Sequence, residues 1–318
     1  GLPLTLLRLA PYQRTAVVEL GMNHAGEITR LGRICEPDVG VITNVGPAHL
    51  EGLGSMDNVA HAKGELLHTL RPGGTAVLNA DDDRVTVLAE GLDCRVIYFG
   101  KTKRAQVRAE HIRLGDAGMA FDLITPVGCS PIMLATPARV MVFNALAAAA
   151  AGVALGVSVD RIKAGLEAFT PSAGRMGMGQ PGRGLRVMDD TYNANPASMA
   201  AAIDTLAAMR GEGRRLAVLG DMLELGSESE RLHREVGAMV GRSGIDRLYA
   251  TGRFAAHVVQ GAMEAGMPAT AIVRGPKEEL TDRLSREIAD GDAILVKGSR
   301  GMAMETVVAE IEQWAGEG

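Results

Sequence analysis

The sequence predicts an α/β protein of two domains, each built around a mostly parallel sheet. The chain has 318 residues, which is enough for two hydrophobic cores. Short apolar runs alternate with longer stretches of helical periodicity, a pattern typical of strand–helix units that wind into a parallel sheet. Only 3% of the residues are aromatic, whereas Ala, Gly, Val and Leu are abundant, and this composition suits helices packed on such a sheet.

The second half of the chain, from about Leu185, has the more regular pattern. Its predicted strands cover 185–188, 216–219, 247–250, 271–273 and 293–296. The helices that follow them are predicted at 196–209, 229–242, 253–265, 277–288 and 302–314. Repeated strand–helix units with right-handed crossovers predict a doubly wound parallel sheet.

The first half is also α/β, but its pattern is less regular. Strands are predicted at 16–20, 39–43, 75–78 and 95–99, and helices at 59–70, 142–155 and 159–169. Residues 105–135 alternate between apolar and polar without a helical period, which predicts a small antiparallel patch. The small, turn-forming residues 170–174 form the predicted linker, so the two domains are expected at 1–171 and 172–318.

Composition excludes several classes of function. A net charge of -5 and few aromatic residues argue against nucleic-acid binding, which needs a basic face and stacking platforms. The longest apolar run, 145–153, is too short to cross a bilayer, so no membrane insertion is expected. The three cysteines are far apart and match no zinc spacing, and such a small, odd number fits a reducing cytoplasm.

Two glycine-rich strings resemble nucleotide-binding motifs but do not satisfy them. Gly100-Lys101-Thr102 follows a predicted strand, but a phosphate loop also needs a glycine at position 95, which is Arg95. The string 177–182 has the glycine spacing of a dinucleotide fingerprint, but it precedes a strand instead of following one. We therefore expect a turn at the first string and a loop at the second.

The segment 185–196 carries the strongest local signal for a binding site. An apolar strand runs into two carboxylates and then a helix, with Asn195 as the expected N-cap and Pro196 at the first helical position. This arrangement places Asp190, Tyr192 and Asn195 at a helix N-terminus beyond a strand end, where α/β sheets bind anionic ligands. An ordinary strand–turn–helix with a good cap explains the same pattern when the segment is considered alone.

A second constellation lies in the first half. Glu19 ends one predicted strand, and His49 follows the next. A carboxylate and an imidazole, with the remaining positions left to water and phosphate oxygens, are compatible with Mg²⁺. Lys63 lies in the predicted helix 59–70, where a lysine is more often a solvated side chain. Each of these residues, taken singly, is also explained as a capping or surface group.

Taken together, the strings of both halves resemble the Mur ligase family. The strings that carry the resemblance occur in the family's order and lie at 19–28, 44–52, 62–65, 190–199, 219–226 and 296–300. The wording Asn-His-Ala-Gly-Glu-Ile and Tyr-Asn-Ala-Asn-Pro favours the branch that adds a dipeptide over the branches that add single amino acids. The resemblance implies a central ATPase-type α/β domain followed by a Rossmann-like C-terminal domain.

The resemblance also implies a reaction and its partners. It implies an ATP-dependent ligase of peptidoglycan precursor synthesis that joins D-Ala-D-Ala to UDP-N-acetylmuramoyl-tripeptide through an acyl phosphate. Such chemistry needs Mg²⁺ to draw charge from the phosphates and the developing oxyanions. A cytoplasmic monomer is expected, with no nucleic acid and no membrane as a partner.

Site roles are carried over only where the residues match the family's strings. Glu19 and His49 are expected to bind magnesium, and Lys63 matches a lysine that is carbamylated in related ligases. Lys63 and His49 are the expected catalytic residues. The residues expected to bind ATP are Asn144, Arg175, Asp190, Tyr192 and Asn195. Those expected to capture the incoming amino component are Glu224, Lys297, Ser299 and Arg300.

The chain departs from the family in two places. The family's phosphate loop and the domain before it are not found within these residues, and the start at Gly1 resembles a cut inside a longer protein. We therefore expect the chain by itself to be catalytically inactive. In addition, Ala138, Val140 and Met141 replace the Gly, His and first Asn of a family string, of which Asn144 is retained.

Two alternatives remain open at the level of sequence. The chain is also compatible with an ATP-dependent ligase of another substrate, of the Mur or folylpolyglutamate type. A non-catalytic binding protein of the same fold is the third possibility, and the altered segment 138–141 favours it. The joint retention of five matching residues argues against it, because a scaffold has no physical need for that set. The five residues are Glu19, His49, Lys63, Arg175 and Asp190.

Overall fold

The structure is a computed structural model that describes residues 1–47, 50–115, 118–209, 211 and 213–316. The chain forms two compact units. The first comprises Gly1–Gly115, Met119–Leu134 and Met141–Ala168, and the second comprises Asp116–Gly118, Ala135–Val140 and Phe169–Gly318. Within the described ranges, no helix is both long enough and apolar enough to span a membrane.

The sheet of the first unit has six strands in the order in which they occur along the chain. They are β1 (Val39–Ile42), β2 (Thr75–Asn79), β3 (Arg95–Gly100), β4 (Val107–Gly115), β5 (Gly118–Thr125) and β6 (Gly128–Leu134). Strands β1 to β4 pair in parallel, whereas β5 and β6 pair antiparallel. The predicted mixture of a parallel sheet and a small antiparallel patch is therefore confirmed.

Helices cover this sheet and supply its core. They are α1 (Leu2–Leu6), α2 (Glu27–Cys35), α3 (Leu50–Leu53), α4 (Met56–Gly64), α5 (Asp83–Val87), α6 (Val140–Ala154) and α7 (Val159–Glu167). A 3₁₀ helix, Glu65–Thr69, continues α4, so the predicted helix 59–70 is α-helical up to Gly64 and a 3₁₀ helix after it. Phe99, Phe121 and Leu146 are among the fully buried side chains of this unit.

The predicted strand 16–20 does not form, and this prediction was wrong. These residues have no regular secondary structure, and Val17 is 94% exposed. In the described chain, β1 is the end strand of the sheet and pairs with β2. Residues 16–20 do not join the outer edge of β1, so no ladder of hydrogen bonds holds them extended. Glu19 is consequently an exposed side chain in an irregular segment.

The second unit contains the regular doubly wound sheet. Its strands are β7 (Gly177–Gly179), β8 (Arg186–Asp190), β9 (Arg215–Leu219), β10 (Arg247–Ala250), β11 (Ile272–Arg274) and β12 (Ala293–Lys297). Their order is β11-β10-β9-β12-β8-β7, and the pairs from β11 to β8 are parallel. The parallel pairing brings the carboxyl ends of β8, β9, β10 and β12 to one edge, which we call the carboxyl edge.

The helices of the second unit match the predicted alternation. They are α8 (Pro196–Ala208), α9 (Ser229–Arg242), α10 (Ala255–Glu264), α11 (Lys277–Glu287) and α12 (Glu305–Gly316). Helix α8 begins as predicted, with Asn195 as its N-cap and Pro196 at the first helical position. Tyr249, Met188 and Ile203 are fully buried around the sheet.

The expected loop 177–182 is in part a strand. Residues Gly177–Gly179 pair antiparallel with β8, in the register Gly177 to Asp189 and Gly179 to Val187. Glycine disfavours strands, but at the end of a sheet the backbone pairing is available even to residues with little or no side chain to pack. The string is therefore an edge strand followed by a loop, and not a helix entry of the dinucleotide type.

Candidate functional site

A buried ion pair lies at the carboxyl edge of the second unit. Lys297 ends β12 and is 1% exposed, and its ammonium nitrogen lies 2.5 Å from the Oδ2 atom of Asp190 at the end of β8. The same ammonium donates to the carbonyl oxygen of Asn193 at 2.9 Å. Burial lowers the pKa of Lys297 and raises that of Asp190, while the attraction between the two charges opposes both shifts. The pair therefore joins two strand ends and the loop after β8.

Polar side chains also fix the loop that follows β8. Asn195 caps α8 by accepting from the Ser198 amide at 2.9 Å, and the Ser198 hydroxyl accepts in return from the Asn195 amide at 3.0 Å. Asp189 accepts from the Gly174 amide at 2.9 Å and from the Thr191 hydroxyl at 2.6 Å. The predicted site segment is thus held by its own short polar residues.

Two predicted nucleotide-binding side chains meet on the surface of this loop. The guanidinium carbon of Arg175 lies 4.0 Å from the ring centroid of Tyr192, and both side chains are exposed. An arginine over a tyrosine ring forms a flat platform with positive charge. The structure therefore brings Arg175, in the segment before β7, together with Tyr192, which lies with Asn195 in the loop that follows Asp190.

The predicted amino-component residues follow β12 and β9. Ser299 is 2% exposed, accepts from the Leu223 amide at 2.9 Å and donates to the Ala194 carbonyl at 3.3 Å. Arg300 is exposed and lies 3.1 Å from Glu305. Glu224 is exposed and adopts a left-handed backbone, with a φ of 62°. Ser299 thus links the loops after β8 and β9, whereas Arg300 and Glu224 face solvent.

Asp221 and His233 are residues of this edge that sequence reasoning missed. Asp221 is 3% exposed and accepts from the amides of Arg253 at 2.7 Å and Phe254 at 3.0 Å, so it ties the exit of β9 to that of β10. His233, on α9, accepts from the Met222 amide at 2.9 Å. The Gly-Asp pair that follows the predicted strand 216–219 is a sequence signal that could have pointed to Asp221. A histidine in the middle of an amphipathic helix carries no comparable signal.

Lys63 lies on α4 in the first unit, at the level of the loop after β1. Its Nζ atom donates to the carbonyl oxygen of Asn44 at 2.7 Å. Partial burial lowers the pKa of Lys63, and the negative charge of Asp82 opposes that shift. The amine is thus bound to a neutral acceptor, with a carboxylate near enough to influence it electrostatically.

Three further polar residues organise the strand exits of the first unit, and sequence reasoning missed them as well. Asn79 donates to the Thr43 carbonyl at 2.8 Å, and Asp82 accepts from the Val45 amide at 2.7 Å. Asp81 accepts from the two consecutive amides that follow Gly100, at 2.7 and 3.1 Å. The signal was available, because Asn79 directly follows the predicted strand 75–78 and three consecutive Asp residues begin at 81.

Glu65 fixes the loop that follows Glu19. Its carboxylate accepts from the amides of Gly26 at 2.6 Å and Thr29 at 2.9 Å, at the start of α2. Glu27 closes the same loop from within, because it accepts from the Asn23 amide at 2.7 Å. A carboxylate is favourable at a helix N-terminus, where backbone amides are unpaired. Glu19 itself remains exposed beyond this loop.

Asn144 is exposed on α6, and its amide nitrogen lies 3.4 Å from the Met141 sulfur. Lys101 lies 4.9 Å from the ring centroid of the adjacent Phe143. Of the altered string, Ala138 is fully buried, with a relative exposure of 0%. His49 lies outside the described residues, so the structure does not test whether Glu19 and His49 lie close together.

A divalent cation needs several donor atoms that lie close together. Among the residues that the structure describes, no three His, Cys, Asp or Glu side chains are close enough to hold a metal together. Glu19 offers one exposed, hard oxygen donor. Mg²⁺ in phosphate-transfer sites keeps several waters and takes one or two carboxylates plus substrate phosphates. The residues present fit that mode of binding and do not fit an all-protein cage.

The chain is similar to known proteins over nearly its whole length. The model of the Mur ligase middle domain matches residues 1–152, and that of the Mur ligase, glutamate ligase domain matches residues 174–300. The chain is 38% identical over 317 residues to the UDP-N-acetylmuramoyl-tripeptide–D-alanyl-D-alanine ligase of Escherichia coli (strain K12), covering 98% of this chain and 68% of that protein.

Solved structures agree with the sequence relatives. MurF from Acinetobacter baumannii has a TM-score of 0.88 and 33% identity, covering 98% of this chain and 68% of that one. MurF from Thermotoga maritima in complex with ADP has a TM-score of 0.80 at 24% identity, covering 92% and 66%, and supports the fold alone. The chain therefore belongs to the Mur ligase family, within the group of the UDP-N-acetylmuramoyl-tripeptide–D-alanyl-D-alanine ligases.

Proposed function

We propose that the chain carries the catalytic middle and C-terminal parts of an ATP-dependent ligase that joins D-Ala-D-Ala to UDP-N-acetylmuramoyl-tripeptide. The observation that carries the proposal is the 38% identity to the Escherichia coli ligase over 98% of the chain. The carboxylate of the tripeptide attacks the γ-phosphorus of ATP, and ADP leaves. The amine of D-Ala-D-Ala then attacks the acyl carbon, loses a proton, and phosphate departs as the amide forms.

ATP binding in this proposal uses the loop after β8. Arg175 and Tyr192 form an exposed, positively charged platform that suits a nucleotide. Each oxygen of Asp190 accepts one hydrogen bond, from Met176 or from Lys297, and a carboxylate has about four acceptor sites in all. Asp190 therefore keeps capacity for a ribose hydroxyl, while Asn195 sets the position of the helix start. Asn144 is proposed to lie near the base.

Mg²⁺ in this proposal is held by Glu19 and His49, with water and phosphate oxygens as the other ligands. The ion, when bound, draws negative charge away from the phosphates. Lys63 is proposed to be carbamylated, which requires its neutral amine to react with carbon dioxide. Partial burial lowers the pKa of Lys63 and so raises the neutral fraction. A carbamate signal in the carbon NMR spectrum after ¹³C-bicarbonate labelling, absent in Lys63→Arg, tests this step.

The incoming dipeptide is proposed to bind at the exit of β12. Arg300 is exposed, and its partner Glu305 is the kind of carboxylate that a substrate carboxylate can replace. Lys297 and Ser299 are buried, and their hydrogen bonds hold the loops after β8 and β9 in place. Glu224 is exposed in the loop after β9 and is proposed to line the same pocket.

A cytoplasmic, monomeric enzyme belongs to the same proposal. ATP is a substrate found inside the cell, and Cys35, Cys94 and Cys129 are all free thiols, as a reducing compartment favours. The predicted absence of nucleic-acid partners rests, as before, on the net charge of -5.

The test is a ligase assay on the complete product of the gene that encodes this chain. The protein is incubated with ATP, Mg²⁺, UDP-N-acetylmuramoyl-tripeptide and D-Ala-D-Ala, and products are identified by mass spectrometry. We expect the pentapeptide and an equimolar amount of ADP. Arg300→Gln should raise the KM for D-Ala-D-Ala by roughly tenfold, because a charge-assisted bond is lost. Arg286→Gln, an exposed arginine on α11, is the matched control and should leave KM unchanged.

Two results would contradict the proposal. A folded wild-type protein that forms no pentapeptide but ligates another amino acid or a folate would assign a different substrate. A folded protein that binds the nucleotide sugar and forms no amide with any of these would favour the non-catalytic alternative.

A further inference from the structure

A buried imidazole supports the loop that follows β9. His233, on α9, is 1% exposed, and its ring is stacked on that of Phe254 at a centroid distance of 4.8 Å. Its Nε2 atom lies 2.9 Å from the backbone nitrogen of Met222, which can only donate. Its Nδ1 atom lies 2.6 Å from the carbonyl oxygen of Ser229, which can only accept.

These two partners determine the protonation state of the ring. The Met222 amide requires an unprotonated Nε2, and the Ser229 carbonyl requires a protonated Nδ1. His233 is therefore the neutral Nδ1–H tautomer. Burial supports this state, since it lowers the pKa of His233. Asp221, whose Oδ1 lies 3.8 Å from Nε2, acts in the opposite direction and raises the pKa of His233, whereas the nearby His257 lowers it further.

The loop held in this way is tied on both sides at the carboxyl edge. The Asp221 carbonyl accepts from the Ser299 amide at 2.9 Å, and the Leu223 amide donates to the Ser299 hydroxyl at 2.9 Å. Met222 lies between these two bonds, and its amide is the one that His233 holds. Beyond it, Leu223 is 43% exposed and Glu224 turns into the left-handed region. The loop thus reaches solvent next to Ser299 and Arg300.

We infer that His233 is a positioning residue for the pocket that receives the amino component. Its neutral imidazole fixes the Met222 backbone, and the Met222 backbone sets where Leu223 and Glu224 stand relative to Ser299. This inference rests on the proposed function, because that function assigns the dipeptide to this edge. His233 contacts no substrate itself and acts only through the loop.

The test compares two substitutions in the ligase assay on the complete gene product. His233→Leu fills the space but removes the acceptor, so we expect the KM for D-Ala-D-Ala to rise about tenfold. The KM values for ATP and for UDP-N-acetylmuramoyl-tripeptide should stay within about twofold of wild type. His233→Gln retains an oxygen acceptor on a side chain of similar reach, and it should recover most of the lost affinity.

The matched control is His257→Leu. His257 lies 6.3 Å from the same Phe254 ring and pairs with Glu230 at 3.9 Å, so its loss should leave all three KM values unchanged. The inference is overturned if His233→Leu leaves the KM for D-Ala-D-Ala unchanged or raises all three KM values equally. A wild-type protein that forms no pentapeptide contradicts the proposed function instead.

A spectroscopic measurement covers the case in which His233→Leu fails to fold. In a long-range ¹H–¹⁵N correlation spectrum of the wild-type chain at pH 7, His233 should show a protonated Nδ1 and an unprotonated Nε2. Addition of D-Ala-D-Ala to the complete gene product with the nucleotide sugar and a non-hydrolysable ATP analogue should shift the Met222 amide signal. An imidazolium or an Nε2–H tautomer, or an unchanged Met222 signal on binding, overturns the inference.

Discussion

The two units hold their strand exits with the same device. In the first unit, Asp81 stands two residues after β2 and accepts from the two amides that follow Gly100 at the end of β3. In the second unit, Asp221 stands two residues after β9 and accepts from the two amides that follow Gly252 beyond β10. We call each arrangement a carboxylate lock. Each connects a strand exit to the exit of the next strand in the sheet.

The surroundings of the two locks differ. Asp221 is 3% exposed and has His233 behind it at 3.8 Å, whereas Asp81 is only half-buried. A buried carboxylate that loses its amides cannot turn to water, but a half-buried one can. The second lock therefore defines a rigid edge, and the first leaves more freedom to the loops around it.

Two lysines, one in each unit, also differ in burial, and again the residue of the second unit is the more buried one. Lys297 is 1% exposed and is held in an ion pair, whereas Lys63 is half-buried and donates to a carbonyl oxygen. Lys297 is thus enclosed with its counter-charge, whereas the amine of Lys63 is partly open to solvent. The two lysines, which lie in different family strings, thus differ both in burial and in the charge of their partner.

The largest effect on stability is expected at the buried lysine. Lys297→Met leaves the Asp190 carboxylate buried without its counter-charge, so the free energy of unfolding should fall by about 3–5 kcal/mol. Lys63→Met removes one hydrogen bond to a neutral oxygen and should cost about 1 kcal/mol. Urea denaturation of both variants measures the difference. Equal losses would remove the distinction between the two lysines, and the double variant Asp190→Asn, Lys297→Met should recover part of the loss.

Removal of each lock gives the next effect. Asp221→Ala leaves two partly buried amides without acceptors and should lower the free energy of unfolding by about 3 kcal/mol, since each unsatisfied donor costs about 1–3 kcal/mol. Asp81→Ala should cost about half as much, because water reaches the freed amides more easily. Exposed Asp83→Ala is the control, and chemical denaturation is the readout. A larger loss for Asp81→Ala would reverse the comparison.

The glycines beside the locks test how closely each carboxylate is packed. A Cβ at Gly252 would lie 2.4 Å from the Asp221 carboxyl carbon, and one at Gly100 would lie 2.7 Å from an Asp81 oxygen. Gly266, whose φ of 100° is close to the 109° of Gly252, has nothing within 4 Å. Alanine at Gly266 should cost about 1 kcal/mol for its backbone alone. Gly252→Ala should cost about 2 kcal/mol more and Gly100→Ala an intermediate amount, measured by thermal unfolding.

The smallest effect is a pH dependence that belongs to the second lock alone. Burial lowers the pKa of His233 below its ordinary value, so the unfolded chain takes up a proton at a higher pH than the folded chain. The stabilisation is complete above about pH 6.5 and is lost as the pH falls, by at most about 1.4 kcal/mol per pH unit from this group. Denaturation curves at several pH values should show this slope in wild type and a smaller slope in His233→Gln. An identical slope in both proteins would exclude His233 as its source.

Much of the second unit could be predicted from sequence, for a local reason. The helix Ser229–Arg242 and the strand Arg247–Ala250 have the predicted bounds, because apolar runs and helical periodicity mark their own ends. The N-cap at Asn195 was equally predictable, since the Asn-Pro pair and the serine three residues later are neighbours in the chain.

The locks could not be predicted in the same way, because their partners are distant in sequence. Asp81 and Lys101 are 20 residues apart, and Asp221 and Arg253 are 32 apart. No local pattern says which amides a carboxylate will meet after the strands have paired. The prediction of a strand at 16–20 was wrong for a related reason, since an apolar run forms a strand only if another strand pairs with it. The proposed ligand roles of Glu19, Lys63 and Arg300 remain predictions.

Native-state amide hydrogen exchange, followed residue by residue by NMR on this chain, tests the comparison most directly. The amides of Arg253 and Phe254 should exchange nearly as slowly as those in the core strand β9, because a buried carboxylate holds them. The amides of Lys101 and Thr102 should exchange measurably faster, at rates between those of β2 and those of an open loop. Rapid exchange at Arg253 and Phe254, or equal protection at both locks, would contradict the conclusion that the second unit has the rigid edge.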